Sequence, residues 1–203
     1  MEILSARMPY RRRSLLCALA AAYAIATAAI AAPSHSEDSV KAAYLYRFTQ
    51  YIEWPTSLPE AEPFTIAVLN APGVARELER LLPDHPIKNS AARVRVISRI
   101  QDVGHAQMLY IGSVPAERLR SLISSIAFGS VLLVTDSEEG LEMGGVLNFI
   151  TVDNRVRFEV SLTAADRSRF RISSELLAVA ARVRGGARQS DGARPDTKTA
   201  MGQ

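Results

Sequence analysis

Few side chains in this sequence are spaced for covalent or metal chemistry. The three histidines, His35, His85 and His105, each stand alone in a Ser-, Pro- or Gly-containing segment. None forms the H-x-x-x-H or H-E-x-x-H spacing that sets two imidazoles on one helix face around a metal. A site using His85, His105 and an acid would have to assemble across loops. Ser113 and Ser137 follow apolar runs that read as strands, where α/β enzymes place reactive groups, but no histidine lies near either. There is no G-x-S-x-G elbow, no phosphate-binding G-x-x-x-x-G-K-S/T loop and no dinucleotide fingerprint. Asp136, Glu138, Glu139 and Glu142 form an acidic cluster. It would suit a cation, a solvated loop, or a first helical turn, where carboxylates favour the helix dipole. The pattern predicts no catalytic residue, no metal set and no cofactor.

What remains are residues suited to binding. Trp54 is the only tryptophan, in Ile52-Glu53-Trp54-Pro55. It caps a core or anchors a ligand or partner, tryptophan being enriched in interface hot spots. Ile150, Val152, Arg157 and Glu159 mix aliphatic and charged groups as the core and rim of an interface do.

The elements that must position these residues follow from periodicity. Ser34 to Glu37 has the form of a helix capping box. Val40, Tyr44, Phe48 and Ile52 recur every four residues, with Lys41, Arg47 and Gln50 on other faces. This predicts an amphipathic helix ending at Trp54-Pro55. Phe64–Leu69, Val94–Val96, Met108–Ile111 and Val131–Val134 read as strands. Helices follow at Val74–Leu82 and from Pro115 through Leu119, Leu122 and Ile126. Strands alternating with helices predict an α/β fold, a mixed, mostly parallel sheet covered by helices on both faces. Leu147–Val152 and Arg155–Leu162 flank Asp153-Asn154, a two-residue hairpin loop. Val152 then opposes Arg155, and Phe149 opposes Phe158. One face carries Phe149 and Phe158. The other carries Asn148, Ile150, Val152, Arg155, Arg157 and Glu159, to be covered by the last helix or by another chain. In the first case Glu159 pairs with Arg157 or Arg171. Ala164–Arg167 reads as a helical turn. Ser173 caps a last helix whose apolar side is Leu176, Val179, Ala180 and Val183.

Composition sets the wider frame. The chain has 203 residues, 48% hydrophobic and 22% charged, with a formal charge of +3. That suits about one compact domain and excludes collagen-like or disordered chains. The surplus charge lies at the N-terminus: Arg11-Arg12-Arg13, then an apolar Ala- and Leu-rich stretch, then Ala29-Ile30-Ala31. This order predicts a secretory signal over residues 1–31, cleaved before Ala32, rather than a membrane anchor. Cys17, the only cysteine, leaves with it, so no disulfide or thiolate site is expected in the mature chain. The remainder is neutral, which speaks against a nucleic-acid partner. Residues 32–184 form the expected domain, and residues 185–203, rich in Gly, Ser, Asp and Arg, a disordered tail.

Two segments together resemble a known family. Lys41-Ala42-Ala43-Tyr44-Leu45-Tyr46 with Phe48 and Ile52-Glu53-Trp54-Pro55 resembles the opening of the YfiR-like family of exported bacterial proteins. Leu147-Asn148-Phe149, Val156-Arg157-Phe158-Glu159-Val160 and Arg171-Ile172-Ser173-Ser174-Glu175-Leu176-Leu177 resembles its closing signature. The resemblance implies a soluble periplasmic regulator without catalysis. It would bind the periplasmic domain of an inner-membrane diguanylate cyclase, or of a sensor kinase, hold it inactive and lower cyclic di-GMP, restraining biofilm. Some members carry cysteine pairs associated with redox control; this sequence departs from them. The partner-binding candidates are Trp54, Ile150, Val152, Arg157 and Glu159, and homodimerisation stays open. The alternative is a periplasmic small-ligand binding protein with a pocket near Asn70, Ser113 and Asp136, where α/β sheets bind ligands.

Overall fold

The first helix, α1 (Glu37–Tyr51), starts at Ser36, whose side chain accepts a hydrogen bond from the Ser39 amide at 3.1 Å. The computed structural model describes residues 36–55, 62–125 and 131–185. The expected signal, the capping-box residue Ser34, the helix end at Ile126 and the tail beyond Gly185 lie outside them. The buried stripe of α1 is Lys41, Ala42, Leu45, Phe48 and Thr49. It is offset by about one position from the expected stripe, and Lys41 lies inside rather than on a wet face. The helix also stops earlier than expected. Ile52–Glu53 forms a short strand, β1, paired antiparallel with β8 (Arg171–Ile172). That pairing, a tertiary contact, overrides the helical period.

The main sheet is built from β2 (Phe64–Leu69), β3 (Ala92–Ile97), β4 (Met108–Ile111), β5 (Leu132–Thr135), β6 (Leu147–Val152), β7 (Arg155–Ser161) and β9 (Arg182–Arg184). The order is β3-β2-β4-β5-β6-β7-β9. Strands β2 to β6 run parallel, β7 returns antiparallel to β6, and β9 lies parallel to β7. Apart from the edge strand β3, the strands of the parallel part are nearly continuous apolar runs because both faces are covered. On one face Phe64, Ile66, Val68, Met108, Tyr110, Phe149 and Phe158 meet α1 and α2 (Pro72–Leu81). On the other, Ala67, Leu69, Leu109, Ile111 and Leu133 meet α3 (Ala116–Ile123) and the 3-10 turn Ile100–Val103. Full burial of a Leu or Phe side chain is worth about 1.5–3 kcal/mol, so Leu45 and Phe48, fully buried, hold α1 firmly.

The hairpin has the predicted register, Val152 opposite Arg155 and Phe149 opposite Phe158. Asp153 and Asn154 both take positive φ, 49° and 58°, as a tight two-residue hairpin turn demands. After it come α4 (Leu162–Arg167) and α5 (Ser174–Val179), the latter capped by Ser173 as expected. The expected extension of that last helix to Val183 is not found. Ala180 turns extended, and Arg182–Arg184 is an edge strand whose Val183 is exposed.

Candidate functional site

The hairpin reaches beyond the rest of the sheet. The pairing of β5 with β6 ends at Thr135 and Asn148, and β6 continues through Val152. At about 3.3 Å per residue, that is roughly 13 Å of free strand. Its inner face is fastened by aromatic contacts. Phe158 lies edge-on to Phe48, with centroids 5.0 Å apart, and to Tyr44 at 5.4 Å; Phe149 stacks on Phe48 at 5.8 Å. Its outer face therefore points to solvent with a fixed orientation. There Ile150 is half-buried, Val152 is 42% exposed, and Arg155 and Arg157 are exposed. Antiparallel register sets Val152 beside Arg155 and Ile150 beside Arg157, giving an aliphatic column next to a cationic one.

Glu159, expected on this same face, sits at its base and is only 2% exposed. Its Oε1 accepts from Asn148 Nδ2 at 3.1 Å, while Arg182 Nη1 lies 3.4 Å and Arg184 Nη2 3.9 Å from Oε2. Its partners are thus the β9 arginines, not Arg157 or Arg171. Asn148 Oδ1 accepts in turn from Thr135 Oγ1 at 2.7 Å and from the Ser137 amide at 3.2 Å. A side chain at Gly140 would collide with both Thr135 and Asn148, so the 136–145 loop closes over the base. Arg184 also pairs with Glu142. Burial raises the Glu142 carboxyl, but its own backbone hydrogen bond and the Arg184 guanidinium outweigh that, and its pKa lies below the ordinary value.

Trp54 belongs elsewhere. Its Nε1 donates to the Gln107 carbonyl at 3.1 Å, and its ring lies edge-on to Phe64 and Phe170, with Lys88 Nζ 5.6 Å from its centre. It is half-buried just past the C-terminal end of α1, and its contacts are with Gln107, Phe64, Phe170 and Lys88 rather than with the hairpin. The structure does not join Trp54 and the hairpin into one surface.

The crevice at the carboxyl ends of β2 and β4, the usual ligand position in such sheets, is filled. Asn70, at φ 57°, donates from Nδ2 to the Ser113 carbonyl at 2.8 Å. Gly112 donates to Leu69 at 2.9 Å, and a Cβ there would strike the Asn70 carbonyl. Asp136 is also engaged. Its Oδ2 meets Lys41 Nζ at 2.5 Å and accepts from the Tyr110 hydroxyl at 3.2 Å, while Lys41 meets Glu37 at 2.5 Å. Burial lowers the Lys41 ammonium, but Asp136 and Glu37 outweigh it and hold the pKa above its ordinary value. Burial and the Asp136 charge hold the Tyr110 hydroxyl far above its usual range. Beside this lies an open depression of about 370 Å³ lined by Ser113, Val114, Pro115, Ala116, Ser137, Glu138 and Glu139. Ser137 Oγ and the Val114 backbone satisfy each other there, and Glu139 lies 3.7 Å from Arg120. Among the described residues no group of three metal-ligating side chains forms, and no helix is long and apolar enough to cross a membrane.

Sequence reasoning did not single out Lys41, Arg182 or Arg184. One signal was available: Arg-Val-Arg occurs at 93–95, 155–157 and 182–184, and each copy lies in a strand.

The YfiR/HmsC-like family model matches residues 38–181. Among solved structures, a conserved domain protein from Vibrio cholerae O1 biovar El Tor is similar at 12% identity and a TM-score of 0.51, over 73% of this chain and 60% of that one. The ABC domain from Streptococcus pneumoniae, in complex with L-Trp, is similar at 9% identity and a TM-score of 0.44, over 59% of this chain and 54% of that one. These structures are longer than the matched part, and the first shows likeness of fold alone. No curated protein matches significantly.

Proposed function

The chain belongs to the YfiR/HmsC-like family, and on that premise we propose that it acts in the periplasm by binding the external domain of an inner-membrane diguanylate cyclase and holding it inactive. The observation that carries this reading is the outer face of the hairpin. It projects past the sheet, is held rigid from below by Phe149 and Phe158, and bears Ile150, Val152, Arg155 and Arg157 with no element over them among the described residues. Exposed aliphatics between charged neighbours are what an interface core and its rim require. Residues 1–31 serve as the export signal, and residues 32–184 carry the function.

Repression requires tighter binding to the inactive than to the active cyclase, since equal affinity shifts nothing. Glu159 supports the surface from within by setting the base of the hairpin, while Trp54 ties α1 to the sheet away from it. Deleting the gene should raise cyclic di-GMP, and the intact gene should restore it. Val152→Asp should fail to restore it while the isolated domain keeps its melting temperature, because Val152 is on the exposed side. Full restoration by Val152→Asp would remove the hairpin from the mechanism. Unchanged cyclic di-GMP on deletion would remove the regulatory role itself.

A further inference from the structure

We infer that the surface recognised by the hairpin is an acidic face of a folded protein domain, carrying two carboxylates about 6–7 Å apart beside an apolar ridge; this rests on the reading of the hairpin as the partner face. The three Arg-Val-Arg strands supply the argument. In β3, Arg93 Nε donates to Thr65 Oγ1 at 2.9 Å and Arg95 donates to the Val103 carbonyl. In β9, Arg182 and Arg184 pair with Glu159 and Glu142. Both strands turn their guanidinium groups onto their own chain. In β7, Arg155 and Arg157 are exposed, and neither has an ion-pair partner among the described residues. The one acid on their face, Glu159, is buried and already engaged from β9 and Asn148.

Alternate residues of a strand lie on one face about 6.8 Å apart. Two guanidinium groups at that spacing, on a hairpin braced by aromatic rings, match carboxylates two residues apart on a strand or four apart on a helix. Ile150 and Val152 lie directly across from them and would take the apolar ridge. An arginine donates to a carboxylate through two parallel N–H groups, so the array specifies orientation as well as sign. An anionic bilayer fits less well. Each basic residue near such a surface strengthens binding only about fivefold, and two are too few to hold a protein there.

The test is a double charge reversal, Arg155→Glu with Arg157→Glu, in the full chain in its own host. Both side chains are exposed, so the melting temperature should stay within about 2 °C of wild type. Cyclic di-GMP should rise to the level of the gene deletion. Second-site suppressors should change an Asp or Glu to Lys or Arg in the external domain of one membrane protein. Arg155→Lys with Arg157→Lys should repress partly, keeping charge but losing the bidentate geometry. If deletion raises cyclic di-GMP and Val152→Asp derepresses while the double reversal represses as wild type does, the face stands and the acidic partner is wrong. Suppressors at apolar residues alone would also overturn it. So would retention of the purified wild-type domain on vesicles containing 30% phosphatidylglycerol, lost on charge reversal, which would make lipid the acidic occupant.

Discussion

Lys41 and Glu159 are both nearly withdrawn from water, at 7% and 2% exposure, yet they are held in different ways. Lys41 reaches from α1 to Asp136, just past the end of a central strand, at 2.5 Å, with the Tyr110 hydroxyl on the same carboxylate oxygen. Glu159 is neutralised by Arg182 and Arg184 at 3.4 and 3.9 Å, from a three-residue strand at the sheet edge. Its shortest contact is to a neutral amide, Asn148. The first ties α1 to the end of β5 through the largely shielded Asp136, with the exposed Glu37 as a second partner. The second secures a small edge strand through side chains that water still reaches. A buried charge therefore says little about stability until the burial of its partners is known.

The largest expected loss is apolar. Phe158 is 1% exposed between the hairpin and α1. Phe158→Ala should cost about 3–5 kcal/mol in denaturant unfolding, and an unchanged midpoint would contradict the hairpin's packing. Lys41→Met should come next, at about 3 kcal/mol, because it strands Asp136 against Tyr110. Its pH signature is separable. The raised Lys41 pKa means that its contribution is complete below the unfolded lysine value of about 10.4 and is lost as pH rises through the folded pKa. Wild type and Lys41→Met should therefore converge in alkali. A constant gap would mean that packing, not charge, holds α1.

Glu159→Gln keeps the shape and the bond to Asn148 but gives up the charge, and should cost about 1–2 kcal/mol. Arg182→Ala removes an exposed partner and should cost under about 1 kcal/mol; a loss equal to that of Lys41→Met would erase the distinction between the two clasps. The Glu142–Arg184 link fails at the other end of the scale. Its lowered carboxyl pKa gives stability above the ordinary glutamate value that disappears as pH falls through the folded pKa. Smallest of all, truncation after Arg184 should leave the melting temperature nearly unchanged, since the sequence beyond Gly185 has almost no apolar residue to dock.

The parallel strands, the hairpin register and the burial of Phe158 were legible because each rests on a local pattern: apolar runs, period two, a two-residue turn. Lys41 was not, because its burial depends on Asp136, ninety-five positions away, and a lysine between apolar neighbours otherwise reads as a wet position. Val183 fitted the helical spacing of Leu176, Val179 and Ala180 equally well. Only the open edge of β7 decided that residues 182–184 extend instead. The two family segments read as separate signatures, and only the fold shows why they occur together: β1 from the first pairs with β8 from the last.

That last pairing joins the two ends of the domain. Residue 52 meets residue 172, and Tyr44 and Phe48 of α1 meet Phe149 and Phe158. A chain still emerging from the ribosome holds the early half of each contact without the late half. Contacts of such long sequence separation make folding slow, in the millisecond-to-second range for small domains rich in them. The packing of α1 on the hairpin and of β1 on β8 can therefore be completed only once the last quarter of the chain is available. For a chain that we propose crosses a membrane before folding, the closing strand pair acts as a delay built into the topology.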